Sequence, residues 1–440
     1  MHITAAASCG CVSPSWLAAR WRSRLSLRKG LNCTPDRSLL RTRAILHPQI
    51  GRQIAHMITG GSVAQAASTA AEAPQHVVIC GAGIIGSAIA YYLAMKGVAA
   101  TVVERASVAC ASSGKAGGFL ALDWQDGGVT GPLGRLSFKL HQELADTLGK
   151  DIGYRRVQTL SAAAAPAKQG AMHANTRGSQ PNRRAGAPAW LDGSVSRIKA
   201  MGDESNTAQV HPQKLSQALM EAAQGKGAQL RIGEVQNITT SGKKVTGVIV
   251  DGEEYAADAV VIAMGPWSGQ AAKWLPVPDI TGQKYASIVL RPEEEISNHM
   301  LFLSYKTSSG QALEPEVYPR PDGSVYICGS PEHIALPDDP KTIQVDPKSV
   351  EDLKEVARSV SSKLADAPLE VGQSCFLPLS PDGLPVMGKV PGVQGAYIAS
   401  GHSCWGILNG PATGLVMAEL IADGKASSVD IRKLDPQRLA

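Results

Sequence analysis

Residues 76–105, HVVICGAGIIGSAIAYYLAMKGVAATVVER, constrain the chain more than any other stretch, because their pattern fits one supersecondary unit. An apolar run ends at the turn Gly81-Ala82-Gly83-Ile84-Ile85-Gly86, and the residues beyond it keep Ile85, Ile89, Tyr92 and Leu93 on one helical face. Lys96-Gly97 stops that helix, and a second apolar run delivers Glu104 at its end. The spacing predicts strand, turn, helix and strand, with an acid placed to accept hydrogen bonds from the ribose of a dinucleotide. Gly81 permits the tight turn, Gly83 lets the backbone approach a pyrophosphate, and Gly86 lets helix and strand pack closely. Ala82 and Ile85 complete the turn, whose unpaired N–H groups suit an anion, and Arg105 follows the acid. A nicotinamide and a flavin dinucleotide both fit such a unit.

Charge divides the chain. The net charge is +5, yet nine of the 43 Lys and Arg and only one acid, Asp36, fall in residues 1–71. The remaining 34 basic and 37 acidic residues make the body slightly acidic, without the clustered basic face a nucleic-acid partner requires. Residues 1–73, rich in Arg, Ala and Ser, have the composition of an organelle transit peptide. The Ala/Ser content leans to a chloroplast and the Arg bias suits a mitochondrion, with cleavage expected between about residues 44 and 73. Cys80, Cys110, Cys328, Cys375 and Cys404 show neither disulfide-framework nor zinc spacing, so no metal is expected. The uncharged residues 73–95 are long enough to mimic a membrane span, but their glycines and strand-turn-helix pattern assign them to the nucleotide unit, and no transmembrane segment is expected.

Beyond Glu104 lies ACASSGKAGGFLALDW, whose small residues from Ser112 to Gly118 suit a loop around a phosphate-bearing ligand. In this position, after GAGIIG and the acid, the block resembles the D-amino-acid oxidase/glycine oxidase (DAO) family of FAD-dependent oxidoreductases, and its SGKAGGFLA form resembles a plant and fungal branch of oxidoreductases. The resemblance spans essentially residues 75–423. It implies that Ser112, Ser113, Lys115, Ala116 and Gly117 approach the FAD, that Val235 contacts the adenine, and that Gly265 and Trp267 form a second cofactor turn. Near the C-terminus it makes Gly401, His402, Gly406 and Ile407 flavin contacts, on a helix expected to start at Pro411. A helix N-terminus there favours the anionic reduced ring.

The fold expected is α/β: a discontinuous Rossmann-like FAD-binding domain of the glutathione-reductase type, with an α+β substrate domain built on an antiparallel sheet. FAD-binding parts are expected at 74–130, 201–272 and 372–440, the last with a C-terminal tail, and substrate parts at 131–200 and 273–371. Residues 161–189 hold one large aliphatic side chain, Met172, among prolines and glycines, and are expected to be a mobile insertion. Asp251-Gly252 predicts a hairpin turn. His211 reads either as a catalytic base or, more simply, as the residue opening a helix.

The reaction implied is oxidation of a C–N bond in a small amine or amino-acid-like substrate by hydride transfer to flavin N5, with oxygen or another electron acceptor. Three features bear on it. Leu377-Pro378 stands where many amino-acid-oxidising relatives have Arg-Pro, the arginine binding the substrate carboxylate; Arg320 is the candidate replacement. Cys375 lies seven residues before Asp382, the spacing at which sarcosine-oxidase-like relatives carry a flavin-linked cysteine, though a plain buried thiol fits as well. Tyr318 and Tyr326 alternate on a strand pattern and are candidates for the substrate face. The missing arginine also keeps open an FAD-binding protein with little turnover and a structural or regulatory role.

Overall fold

The computed structural model describes residues 73–166 and 187–440. The expected transit peptide, apart from residue 73, and residues 167–186 of the expected insertion lie outside them.

The glycine unit folds as its pattern dictates. Strand His76–Cys80 leads through the turn into helix Ile84–Met95, and Ala99–Glu104 returns parallel beside the first strand. Gly81 has φ +106°, a conformation open to glycine, and a Cβ at Gly86 would lie 1.9 Å from the Gly81 carbonyl oxygen. These strands sit at the centre of a six-stranded sheet ordered Val386–Lys389, Ala396–Ser400, Ala259–Ile262, His76–Cys80, Ala99–Glu104, Gln229–Ile232. All neighbours are parallel except the first pair. Strands from three distant parts of the chain thus build one nucleotide-type sheet, covered by helices Ile84–Met95, Pro212–Gln224 and Gly406–Ala422 through Ile89, Leu93, Leu219 and Val416.

A second sheet, of eight strands, runs Leu369–Leu379, Thr281–Leu290, Val325–Glu332, Glu316–Pro319, His299–Lys306, Gln158–Ala164, Val195–Gly202, with Ala312–Leu313 beside His299–Lys306. It is antiparallel as expected, with one exception: His299–Lys306 and Gln158–Ala164 pair parallel. The exception follows from connectivity, because the chain between them leaves to build the nucleotide sheet and re-enters. One face, with Ala286, Ile288, Val317 and Ile327, is packed by Leu353, Val356 and Val360 of helix Pro347–Val360. The other face carries Val289, Met300, Tyr318 and Tyr326. Residue 371, the expected boundary between two parts, falls inside Leu369–Leu379, and residues 161–164 belong to a strand.

The C-terminal helix corrects the sequence reading. It starts at Gly406, placing Pro411 inside it rather than in its first turn. Proline removes the bond to the Ile407 carbonyl. Helix Gly131–Thr147 repairs the break: His141 Nε2 donates to the Ile407 and Leu408 carbonyls at 3.0 and 3.2 Å, and the Ala412 N–H donates to Ser137 Oγ at 3.0 Å. Fully buried, His141 has its pKa pushed down to about 4 by desolvation and stays neutral. Asp251 and Gly252 have φ +50° and +85°, the left-handed turn expected of the hairpin between Lys244–Val250 and Glu253–Ala256. His211 caps helix Pro212–Gln224, its ring accepting from the Lys214 N–H at 3.5 Å, which supports the simpler reading. No helix among the described residues is long and apolar enough to cross a membrane.

Candidate functional site

A cleft of about 510 Å³ opens along the C-terminal edge of the nucleotide sheet, a size suited to a cofactor. Its wall contains Gly81, Gly83, Ile85, Glu104, Arg105, Ser112, Ser113, Ala116, Val235, Gly265, Trp267, His402, Gly406 and Ile407 from the sequence-based set. Ala82, Gly86, Lys115, Gly117, Cys375 and Gly401 are outside the lining.

Glu104 holds the glycine turn. Its Oε2 accepts the Ala82 N–H and its Oε1 the Ala106 N–H, each at 2.9 Å. A carboxylate with one backbone donor on each oxygen keeps lone pairs for hydroxyl donors. Arg105 is an ion-pair partner of Glu234 and donates to the Asp338 carbonyl at 2.5 Å, which ties the nucleotide end of the cleft to the chain entering helix Pro340–Thr342.

The stretch expected as a loop contains a single helical turn, Ser112–Lys115. Its side chains are anchors. Ser112 Oγ donates to the Phe376 carbonyl at 2.5 Å and Lys115 Nζ to the Ser374 carbonyl at 3.0 Å, fixing the turn to strand Leu369–Leu379. Ser113 Oγ accepts the Ile84 N–H at 2.9 Å, capping the glycine-unit helix from a residue far along the chain. At Gly117 a Cβ would lie 2.4 Å from the Tyr318 ring, so the absence of a side chain lets the second sheet reach this turn.

Tyr318 and Tyr326 stack with centroids 6.1 Å apart on the sheet face turned toward Gly117. Tyr326 donates to the Lys115 carbonyl at 3.0 Å, and Tyr318 to Glu316 Oε2 at 2.6 Å. Neither lines the cleft. Arg320 is buried rather than solvated: it donates to the Ala116 carbonyl at 3.2 Å, lies 5.0 Å over the Tyr326 ring, and leaves its Nε without a partner. Cys375 is a buried thiol beside Lys115, its pKa pushed up to about 11 by desolvation, while Leu377 reaches the cleft wall two residues on.

At the other end stands His402, almost fully buried. Its Nε2 meets Thr413 Oγ1 at 3.0 Å, its Nδ1 has no partner, and desolvation holds its pKa down to about 4. The residues fit an extended dinucleotide on two observations: this orphaned nitrogen in the cleft wall, and Gly83, where a Cβ would approach Ser113 Oγ to 3.0 Å beside the helix N-terminus. Two helix N-termini, at Ile84 and Gly406, meet the cleft and favour negative charge there.

Several wall residues escaped the sequence reading, among them Cys110, Met264, Gln270, Asp338 and Cys404. Met264 could have been found, since it ends the strand pattern just before Gly265. Asp338 carries no local signal.

Comparison with known proteins agrees with this architecture. Residues 76–420 match the DAO family, described as FAD dependent oxidoreductase. A Schizosaccharomyces pombe protein named only as an oxidoreductase is 31% identical over 393 residues, covering 82% of this chain and 98% of the relative. Glycine oxidase of Pseudomonas aeruginosa is 26% identical over 374 residues, covering 81% of this chain and 97% of its own. The structure of glycine oxidase from Geobacillus kaustophilus superposes with a TM-score of 0.68 at 24% identity, covering 83% of this chain and 98% of that one.

Proposed function

Because the chain belongs to the DAO family of FAD-dependent oxidoreductases, we propose that it oxidises the C–N bond of a small amine or amino-acid-like molecule, with FAD lying along the cleft. The observation that carries this reading is the cleft itself, which runs unbroken from Glu104 and the glycine turn to Cys404 and the N-terminus at Gly406. FAD supplies a two-electron acceptor that takes a hydride from the carbon beside the nitrogen. This chain's part is to bind, orient and exclude water. Glu104 would take ribose hydroxyls, the N-terminus of Ile84–Met95 would hold the pyrophosphate, and Val235 would contact the adenine. His402, Gly406 and Ile407 would hold the ring end, where the helix N-terminus would stabilise developing negative charge. Tyr318 and Tyr326 close the Gly117 turn from the sheet side, outside the cleft lining.

The names of the P. aeruginosa and G. kaustophilus relatives, both glycine oxidases, support the substrate class. The identity to the S. pombe protein supports placing the chain near the plant and fungal branch. Sheet membership supports the division into FAD-binding and substrate parts, and the basic, acid-poor residues 1–73 support import into an organelle, chloroplast before mitochondrion.

The test is turnover of an amine panel, with either dioxygen or a dye as acceptor, followed by the carbonyl product. Deuterium on the carbon beside nitrogen should slow the reaction. Turnover without an isotope effect under single-turnover conditions, or product without loss of the C–N bond, would contradict the proposal.

A further inference from the structure

The sheet face turned toward Gly117 carries a carboxylate that the cofactor reading leaves unused. Glu316 is the cross-strand partner of Phe302 on one side and of Cys328 on the other. Its Oε2 accepts from Tyr318 at 2.6 Å and from Cys328 Sγ at 3.6 Å, so its donors are neutral. No cation contributes to its surroundings among the described residues, and its one charged neighbour is another acid, Glu314. Two other part-buried acids are paired with cations: Glu332 with Lys284 at 2.6 Å and Asp382 with Arg438 at 2.8 Å. A desolvated carboxylate without a cation is costly, and an arriving cation offsets that cost.

Position and surroundings agree. Cys404, in the cleft wall just before Gly406, lies within electrostatic reach of Glu316, and Tyr285 lies within reach of both. Glu316 is half-buried and stands outside the cleft's lining, as do Phe302, Phe119 and Trp124, with Cys404 the wall residue whose thiol feels its charge. Beside Glu316 the rings of Phe302, Phe119 and Trp124 sit 5.0–5.1 Å apart and remain part-exposed, a surface suited to cations. A substrate carboxylate calls for a cation. Leu377 occupies the wall where relatives carry an arginine; of the cations in the cleft wall Arg105 is paired with Glu234 and Lys273 is exposed to solvent, while Arg320, outside the lining, is held by the Ala116 carbonyl.

We propose that Glu316 binds the ammonium group of a cationic amine substrate that has no carboxylate beside its nitrogen, with Phe302, Phe119 and Trp124 covering the cation. This rests on the amine-oxidising reading above and narrows its substrate class. The ammonium then passes one proton to the Glu316 carboxylate, leaving a neutral amine and a neutral acid with total charge unchanged, and the neutral amine is the form able to release hydride. Burial raises the carboxyl pKa, which suits it to take that proton.

The test needs no turnover. Purified flavin-loaded protein is titrated with benzyltrimethylammonium and, separately, with benzoate, following the visible flavin absorbance. The expected result is saturable perturbation by the cation and none by benzoate. Glu316→Gln should weaken the cation by at least about 30-fold while keeping its FAD and thermal midpoint. Tighter binding of benzoate than of the cation by the native protein, or equal cation binding by Glu316→Gln, overturns the inference. Should that variant fail to fold, the cation-against-benzoate preference of the native protein decides alone. A protein that binds the cation but oxidises no amine fails the functional reading and keeps this one; one that oxidises amines but prefers benzoate does the reverse.

Discussion

Replacing Glu104 by Gln isolates the contribution of one carboxylate oxygen to cofactor binding. In the native turn each oxygen accepts one backbone N–H, from Ala82 and from Ala106, both at 2.9 Å. A glutamine carbonyl can keep one of these, but its NH2 group then faces the other N–H, donor against donor. One charge-assisted bond is lost, worth about 1.5–3 kcal/mol. Because the Ala82 N–H lies in the turn between Gly81 and Gly83, the loss falls on the geometry that receives the pyrophosphate, and a ribose acceptor is weakened as well. The expected result is a rise in the FAD dissociation constant of about 10- to 100-fold. It is measured by quenching of FAD fluorescence on titration into apoprotein, with circular dichroism confirming that the sheet is intact. Unchanged affinity in a folded Glu104→Gln protein would refute the assignment of this carboxylate to the cofactor.

Three further outcomes are expected. Gly117→Ala places a methyl 2.4 Å from the Tyr318 ring, so it should cost about 1–3 kcal/mol through overpacking and lower the thermal midpoint; an unshifted midpoint contradicts the close approach. His141 is held neutral with a folded pKa of about 4 against 6.5 unperturbed, so its stabilisation is complete above pH 6.5 and falls away as pH drops toward 4. That difference amounts to about 2 kcal/mol at pH 5, and His141→Gln should flatten the pH dependence of the denaturant midpoint by that amount; parallel profiles would count against it. Leu377→Arg puts a guanidinium in the cleft wall and should create benzoate binding seen in the flavin spectrum, whereas a silent spectrum would mean that residue 377 does not face the substrate.

Local physics made part of this molecule legible in its sequence. Residues 76–105 announce strand, turn and helix because periodicity and glycine placement are short-range properties, and Asp251-Gly252 announces its hairpin for the same reason. Long-range devices left weaker traces. Ser113 capping Ile84 and Lys115 reaching Ser374 depend on tertiary approach, so a structured turn read as a loop. Pro411 looked like a helix start because the partners that repair its missing bond, Ser137 and His141, lie on another helix. Glu316 was passed over because an acid two residues from Tyr318 on a strand resembles a solvent-facing residue, and only the tertiary structure shows it half-buried and hydrogen-bonded to Tyr318 on the face turned toward Gly117.

The central claim is an FAD enzyme that draws hydride from an amine, and anaerobic flavin reduction tests it most directly. Purified protein is mixed without oxygen with a panel of amines, amino acids and hydroxy acids while the visible spectrum is recorded. The account predicts a yellow protein whose flavin absorbance bleaches with amines, most readily with those lacking a carboxylate beside the nitrogen. A yellow protein that no amine bleaches, or a colourless one that binds NAD, would contradict it.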